Sequence, residues 1–121
     1  MDIVLNQTSS EPLYTQIYNQ ISLQIINGSL LPDEKLPGIR QIANELHISV
    51  IPVKMAWEEL DKNGFIKTFA GSGTFVNNLT PSVIQEKKNQ KAEILAQKAC
   101  QEAKNSGVSL DRLLELIRKF Y

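Results

Sequence analysis

Three basic residues in the middle of the chain could bind phosphate or the edge of a nucleic-acid base. Arg40 and Lys54 each lie near the start of a predicted helix, and Lys67 lies on a predicted strand. The planar guanidinium of arginine matches paired phosphate oxygens or the O6 and N7 atoms of guanine. Ser49 directly precedes the helix of Lys54, where its hydroxyl and the free N–H groups of the helix could meet a phosphate. The chemistry that this group indicates is recognition of DNA.

Two further segments could complete the same surface. Val50-Ile51-Pro52 occupies outward positions at the start of the helix that carries Lys54. Helix starts of this kind reach base edges when a helix-turn-helix lies in the major groove. Gly71-Ser72-Gly73 joins two predicted strands, and its backbone amides could approach a phosphate or the minor groove. Taken alone, the helices are equally compatible with an ordinary three-helix core, and the glycines with a turn that only closes a hairpin.

The chain has no residue set typical of catalysis or metal binding. His47 has no cysteine or histidine partner at ligand spacing, so we expect a surface turn residue and no metal site. Without a Ser/His/Asp set, paired carboxylates or a phosphate-binding loop, we expect neither an enzyme nor a cofactor. The single cysteine, Cys100, cannot form an internal disulfide, which fits a reducing cytoplasm, and we expect it in a core or an interface. No apolar run is long enough to cross a membrane.

The elements that would position these residues form a winged helix-turn-helix. Apolar residues recur every fourth position from Leu13 to Ile25, which predicts an amphipathic first helix. We expect that helix over about 12–27, a second over 38–46, a three-residue turn, a third over 50–63, and strands over about 65–69 and 74–76. Ser49 and Gly64 suit the start and the end of the third helix. The fold class is therefore mainly α with a small β-hairpin.

A two-helix tail should follow the hairpin. The expected domains are a winged helix-turn-helix over residues 1–78 and a helical dimerisation tail over residues 79–121, with helices over about 81–105 and from about Leu110. The final helix carries a strong apolar stripe that a second copy of the chain could cover. The residues expected in that dimer contact are Leu95, Ala99, Leu110, Leu113, Leu114, Ile117 and Phe120. Packing of the stripe on the chain's own long helix is the alternative, and both can hold together.

The charge balance opposes DNA binding. The net charge is zero, and residues 1–80 hold five basic and eight acidic residues, for a net charge of −3. Affinity for DNA depends largely on phosphate neutralisation, so the few cations would have to lie on one face. This balance favours a second hypothesis, in which the winged helix is a protein-interaction module that never binds DNA.

Six segments, taken in register, resemble the GntR family of bacterial transcription regulators. They are Pro12-Leu13-Tyr14-Thr15-Gln16-Ile17, Ile26-Asn27-Gly28-Ser29-Leu30, Leu36-Pro37-Gly38-Ile39-Arg40-Gln41-Ile42-Ala43, Ile48-Ser49, Glu59-Leu60 with Gly64-Phe65-Ile66, and Gly71-Ser72-Gly73-Thr74-Phe75-Val76. The short tail is similar to that of the YtrA-type subfamily, in which it serves dimerisation. The resemblance implies DNA contacts at Arg40, Ser49 to Pro52, Lys54 and the glycines of the hairpin.

The chain departs from the family pattern at two places. Gly38 stands where the family often has serine, so a capping hydroxyl is missing. Val50, Ile51 and Pro52 stand where arginine and threonine are common, which removes hydrogen-bond donors and leaves apolar contact with thymine methyl groups. We expect a cytoplasmic, homodimeric, sequence-specific DNA-binding regulator, a repressor that binds a palindromic operator. The sequence identifies no small-molecule effector.

Overall fold

The computed structural model describes all residues from Met1 to Tyr121. Helices α1 (Leu13–Ile26), α2 (Ile39–Leu46) and α3 (Val50–Lys62) are followed by strands β1 (Ile66–Phe69) and β2 (Gly73–Val76), and then by helices α4 (Pro81–Asn105) and α5 (Leu110–Phe120). The chain divides into two compact units, Met1–Thr80 and Pro81–Tyr121. The mainly α fold with a small hairpin is confirmed.

The core of the first unit forms around α1 and α3. Ile17, Ile21 and Ile25 lie on one stripe of α1 and are buried, as their four-residue spacing predicts. They belong to one hydrophobic cluster with the buried face of α3, which consists of Val53, Ala56, Trp57 and Leu60. Because these four residues fix the inward side of α3, the positions between them are turned toward solvent.

A tight turn at His47 joins α2 to α3. His47 has a left-handed backbone with φ of 56°. Its N–H donates to the carbonyl oxygen of Asn44 at 3.2 Å, and the N–H of Ile48 donates to that of Ala43 at 3.0 Å. These bonds close the end of α2 and direct the chain into the next helix. Ser49 is at the N-cap position of α3, but its side chain makes no capping hydrogen bond.

The two strands form the wing, an antiparallel hairpin in which Ile66 pairs with Val76 and Phe69 with Gly73. The residues before α2 add a third, short partner that the sequence pattern does not indicate. The N–H of Val76 donates to the carbonyl oxygen of Glu34, and the N–H of Leu36 donates to that of Thr74, both at 2.8 Å. Lys35 thereby forms an isolated bridge with Phe75. The loop that leads into α2 is consequently fixed against the wing.

Three glutamines of α1 hold the N-terminal arm, residues 2–6. Hydrogen bonds join the side chain of Gln16 to both backbone groups of Asn6, Gln20 to both groups of Val4, and Gln24 to the carbonyl of Asp2. Four helical residues rise about 6 Å and two extended residues about 6.6 Å, so the two spacings match. Ile3 and Leu5, between the bonded positions, pack against the core.

The second unit, residues 81–121, consists of α4 and α5 and has no buried residue. Ser109 caps α5, because its hydroxyl accepts a hydrogen bond from the N–H of Arg112 at 3.2 Å. Cys100 on α4 is exposed, so a core position for it is wrong for the single chain. None of the five helices has the length and apolar character needed to cross a lipid bilayer.

Candidate nucleic-acid interface

An open groove lies between the start of α2 and the wing. Its lining includes Arg40 on the first turn of α2, Lys35 on the preceding loop, and Gly73 at the start of β2. Arg40 and Lys35 are exposed, and both side chains are cationic. The groove therefore places two cations beside the wing, in a unit whose net charge is negative.

The start of α2 offers free backbone donors to the same groove. Gly38 occupies the N-cap position with φ of −66° and supplies no side-chain cap. The first helical bond runs from the N–H of Ile42 to the carbonyl oxygen of Gly38, at 3.0 Å. The preceding amides, those of Ile39, Arg40 and Gln41, have no partner within the helix. Together with the Arg40 guanidinium, they are suited to a phosphate oxygen.

The start of α3 is exposed and largely apolar. Val50, Ile51 and Lys54 are exposed as expected, whereas Pro52 is half-buried. Ser49 is exposed, and its hydroxyl is not used in capping, so it can donate to an external acceptor. The buried side of α3 faces the core, so this exposed edge is open to a partner.

The tip of the wing has a left-handed backbone at two of its glycines. Gly71 has φ of 79° and Gly73 has φ of 116°, in a region that residues with a Cβ rarely adopt. A Cβ at Gly73 would also lie 2.9 Å from the Cε atom of Lys35. The backbone at Gly73 therefore favours glycine, and the end of the Lys35 side chain would have to shift to admit a Cβ there. Ser72 is exposed at the tip.

Lys67 does not stand free on the wing. Its Nζ atom lies 2.7 Å from Oδ1 of Asp33 in an ion pair, and 5.8 Å from the centre of the Phe69 ring. The carboxylate offsets the positive charge that the sequence pattern assigned to this position. We therefore place Arg40, Lys35 and Lys54 ahead of Lys67 as unpaired cations on the first unit.

Sequence reasoning missed two residues of this surface, Lys35 and Met55. Lys35 joins the groove only because residues 33–36 pair with β2, a contact between distant segments that no local pattern reports. Met55 is exposed on α3 and lies four residues after Ile51, so helical spacing places the two on one face. That spacing was the signal that could have found it.

The residues expected in a dimer contact are accessible on the second unit. Leu95, Leu110, Leu114, Ile117 and Phe120 are exposed, and Phe120 retains 77 % of its accessible surface. Ala99 and Leu113 are half-buried. Within the single chain, the stripe of Leu110, Leu114 and Ile117 on α5 remains open to solvent along its length.

The fold is a winged helix-turn-helix, and cations and free backbone amides lie at the helix starts. These features define the DNA-binding class of this fold. The sequence model of the bacterial regulatory proteins of the gntR family matches residues 13–76, and the chain belongs to that family. It is therefore a transcription regulator and not an enzyme.

Known proteins resemble this chain over nearly its whole length or over part of it. The transcriptional repressor YtrA of Bacillus subtilis strain 168 is 29% identical over 117 residues, which cover 97% of this chain and 90% of the repressor. A transcriptional antiterminator from Listeria monocytogenes EGD-e has a similar structure, with a TM-score of 0.78 and 27% identity over 99% of this chain and 90% of that one. The DNA-binding domain of AraR, solved in complex with operator ORX1, has a TM-score of 0.55 and 28% identity, covering 63% of this chain and 95% of that domain.

Proposed function

We propose that this regulator is a homodimeric repressor that acts in the cytoplasm by binding a palindromic operator. Residues 1–78 serve as the DNA-binding domain and residues 79–121 as the dimerisation tail. The observation that carries the proposal is the open groove lined by Arg40 and Lys35, in a helix-turn-helix whose α3 begins with exposed residues. The AraR domain, which shares this fold, was solved on an operator, and this supports the same use of the fold here.

In this mechanism α3 lies in the major groove, where the first residues of a recognition helix contact base edges. The proposed DNA contacts are Arg40, Ser49, Val50, Ile51, Pro52, Lys54, Lys67, Gly71, Ser72 and Gly73. We add Lys35 to them because it lines the same groove as Arg40. A twofold dimer would hold two copies of α3 roughly 34 Å apart, one turn of the duplex. Occupation of a promoter by such a dimer would block access of the polymerase without any catalytic step.

Fluorescence anisotropy with the DNA upstream of the chain's own gene tests this function. We expect sequence-preferring binding that weakens steeply as salt rises, since each phosphate contact releases counterions. Arg40→Ala should lower the affinity by about tenfold or more, because a bidentate contact is worth about 1–3 kcal/mol. Lys62→Ala, in the last turn of α3, is the matched control and should change little. Equal losses from the two variants would contradict the assigned face, and no preference for any sequence would contradict the function.

The net charge of −3 over residues 1–80 favours one other function, that of a protein-interaction module. Salt dependence separates the two. A module of this kind would show no steep loss of DNA affinity with salt, because it would have no phosphate contacts to lose.

A further inference from the structure

We propose that α3 selects its operator by packing an apolar edge against the 5-methyl groups of thymine. The apolar edge consists of Val50, Ile51 and Met55. This inference rests on the proposed DNA-binding function and names the base feature that the helix reads.

The three side chains are exposed, and none of them is needed to fill the core. Ile51 retains 65 % of its accessible surface, and Val50 and Met55 each retain 42 %. The buried face of α3 is already complete, because Val53, Ala56, Trp57 and Leu60 fill it. Single exposed apolar residues are common on protein surfaces. Here, however, the three lie within the first two turns of one helix, with Ile51 and Met55 four residues apart and hence adjacent.

The chemistry of the apolar edge matches one feature of the major groove. Valine, isoleucine and methionine donate no hydrogen bonds, and Pro52 removes a backbone N–H from the same turn. Most base features in the major groove are hydrogen-bond donors or acceptors, which such an edge cannot pair with. The 5-methyl group of thymine is the apolar exception. An unpaired donor or acceptor facing the edge would lose its water without compensation, so other bases are disfavoured there.

Charges around the apolar edge favour DNA over an apolar protein partner. Lys54 is exposed between Ile51 and Met55 in the sequence, and the amide end of α3 adds a partial positive charge. Glu58 is exposed one turn after Lys54, seven residues beyond Ile51 and on the same face. Its carboxylate would be repelled by phosphates, which confines close contact to the first two turns. We therefore expect adjacent thymines in each half-site, read by this short segment.

The probe is a DNA duplex that the full-length protein enriches from a random-sequence pool. The same duplex is then synthesised with deoxyuridine in place of thymidine, and the affinities for the two duplexes are compared. Uracil keeps the hydrogen-bonding groups of thymine and lacks only the methyl group. We expect the affinity to fall about fourfold for each contacted methyl, which corresponds to about 0.8 kcal/mol. Ile51→Ala, at the most exposed residue of the edge, should reduce the difference between the two duplexes most, and Met55→Ala should reduce it less.

Lys54→Ala is the matched control on the same helix, because it removes a charge and leaves the apolar edge intact. It should weaken binding to both duplexes by the same factor and so preserve their ratio. Thermal unfolding of each variant should match the wild type, since the replaced side chains are exposed. Wild-type binding that ignores the loss of the methyl groups, or an Ile51→Ala variant that keeps the full discrimination, would overturn the inference while DNA binding stands. Failure to enrich any sequence would overturn the proposed function itself.

Discussion

Asp33 and Lys67 form an ion pair that ties the wing to the loop before α2, with 2.7 Å between Oδ1 and Nζ. Asp33 has a left-handed backbone with φ of 64°, and its N–H donates to the carbonyl oxygen of Val76 at 2.9 Å. Loop and wing are therefore held together by backbone and side-chain bonds at once. If the wing approaches a phosphate, the Asp33 carboxylate approaches it too, and Lys67 is partly neutralised at the place where its charge is needed.

We therefore predict that Asp33→Asn strengthens DNA binding by several-fold. Asparagine tolerates the left-handed backbone, so the loop should keep its shape. The freed Lys67 should add about one phosphate contact, which steepens the slope of log affinity against log salt by about 0.9. Anisotropy titrations at several salt concentrations measure both quantities. Asp61→Asn, which removes the same charge near the end of α3, should leave both nearly unchanged, and equal gains from the two variants would argue against the wing as a contact.

The same ion pair shows where prediction from the sequence stops. The apolar spacing of α1 and α3, the turn at His47 and the glycine-tipped hairpin are local signals, and the structure follows each of them. Lys67 was expected as a free cation because its partner lies 34 residues away in the sequence. Lys35 was overlooked for a similar reason, since only the pairing of its loop with β2 brings it to Gly73. Contacts between distant segments decide which charges of this site remain free.

The N-terminal arm gives a second example. Residues 1–10 are mostly polar and only weakly patterned, so the sequence predicts no more than an extended arm there. Gln16, Gln20 and Gln24 read as the polar side of an amphipathic helix. Instead, the amides of Gln16 and Gln20 both donate to and accept from the extended arm, and the amide of Gln24 donates to it. Gln16 is only 7 % exposed. A glutamine amide carries both a donor and an acceptor, which is what an unpaired strand requires.

We predict that Gln16→Ala releases this arm. The substitution removes both hydrogen bonds to Asn6 and one from Nε2 to the carbonyl oxygen of Glu11, at 2.9 Å. Three hydrogen bonds are lost, each worth on the order of 1 kcal/mol net, so the free energy of unfolding should fall by about 1–3 kcal/mol. Amide hydrogen exchange should show loss of protection at Asn6 and Val4. Gln41→Ala, whose side chain bonds only to exposed Glu45, is the control and should cost less than about 0.5 kcal/mol.

Gly38 and Gly28 should respond in opposite ways to serine. Neither position has an atom within 4 Å of an added Cβ, so the backbone alone distinguishes them. Gly38 has φ of −66° at the N-cap of α2, where serine can cap the helix and restrict the unfolded chain. Gly38→Ser should therefore stabilise the protein by about 0.5–1 kcal/mol. Gly28→Ser, at φ of 83°, should destabilise it by about 1 kcal/mol. Chemical denaturation measures both, and shifts of the same sign would contradict this account.

Tyr18 should make stability depend on pH in the alkaline range. Burial raises the pKa of its phenol, the Asn63 hydrogen bond opposes the rise, and the charge of Glu59 adds to it. The folded state therefore favours the neutral phenol. The stability that comes from the neutral Tyr18 phenol is fully present below the unfolded pKa of about 10. It is lost as the pH rises through the pKa of Tyr18 in the folded state. Tyr18→Phe should flatten the fall in the free energy of unfolding above about pH 10, which chemical denaturation at a series of pH values measures.

The apolar stripe of α5 should control the oligomeric state. Leu110, Leu114 and Ile117 are exposed on the single chain, and Ile117 lies toward the middle of the stripe they share with Phe120. Burial of an isoleucine is worth about 1.5–3 kcal/mol, and a twofold interface would contain it twice. Ile117→Asp should therefore raise the dimer dissociation constant by on the order of a hundredfold or more, which sedimentation equilibrium can measure.

Lys119→Asp is the control for Ile117→Asp, because it introduces an aspartate on the opposite side of α5. We expect it to remain a dimer, because its position lies away from the stripe. Monomeric Ile117→Asp should still bind a single half-site with wild-type affinity, because α3 and the wing belong to the other compact unit. It should lose most of its advantage on a duplex with two half-sites, since the second contact is no longer intramolecular. A wild-type protein that sediments as a monomer, or an Ile117→Asp variant that stays dimeric, would exclude α5 as the dimer contact.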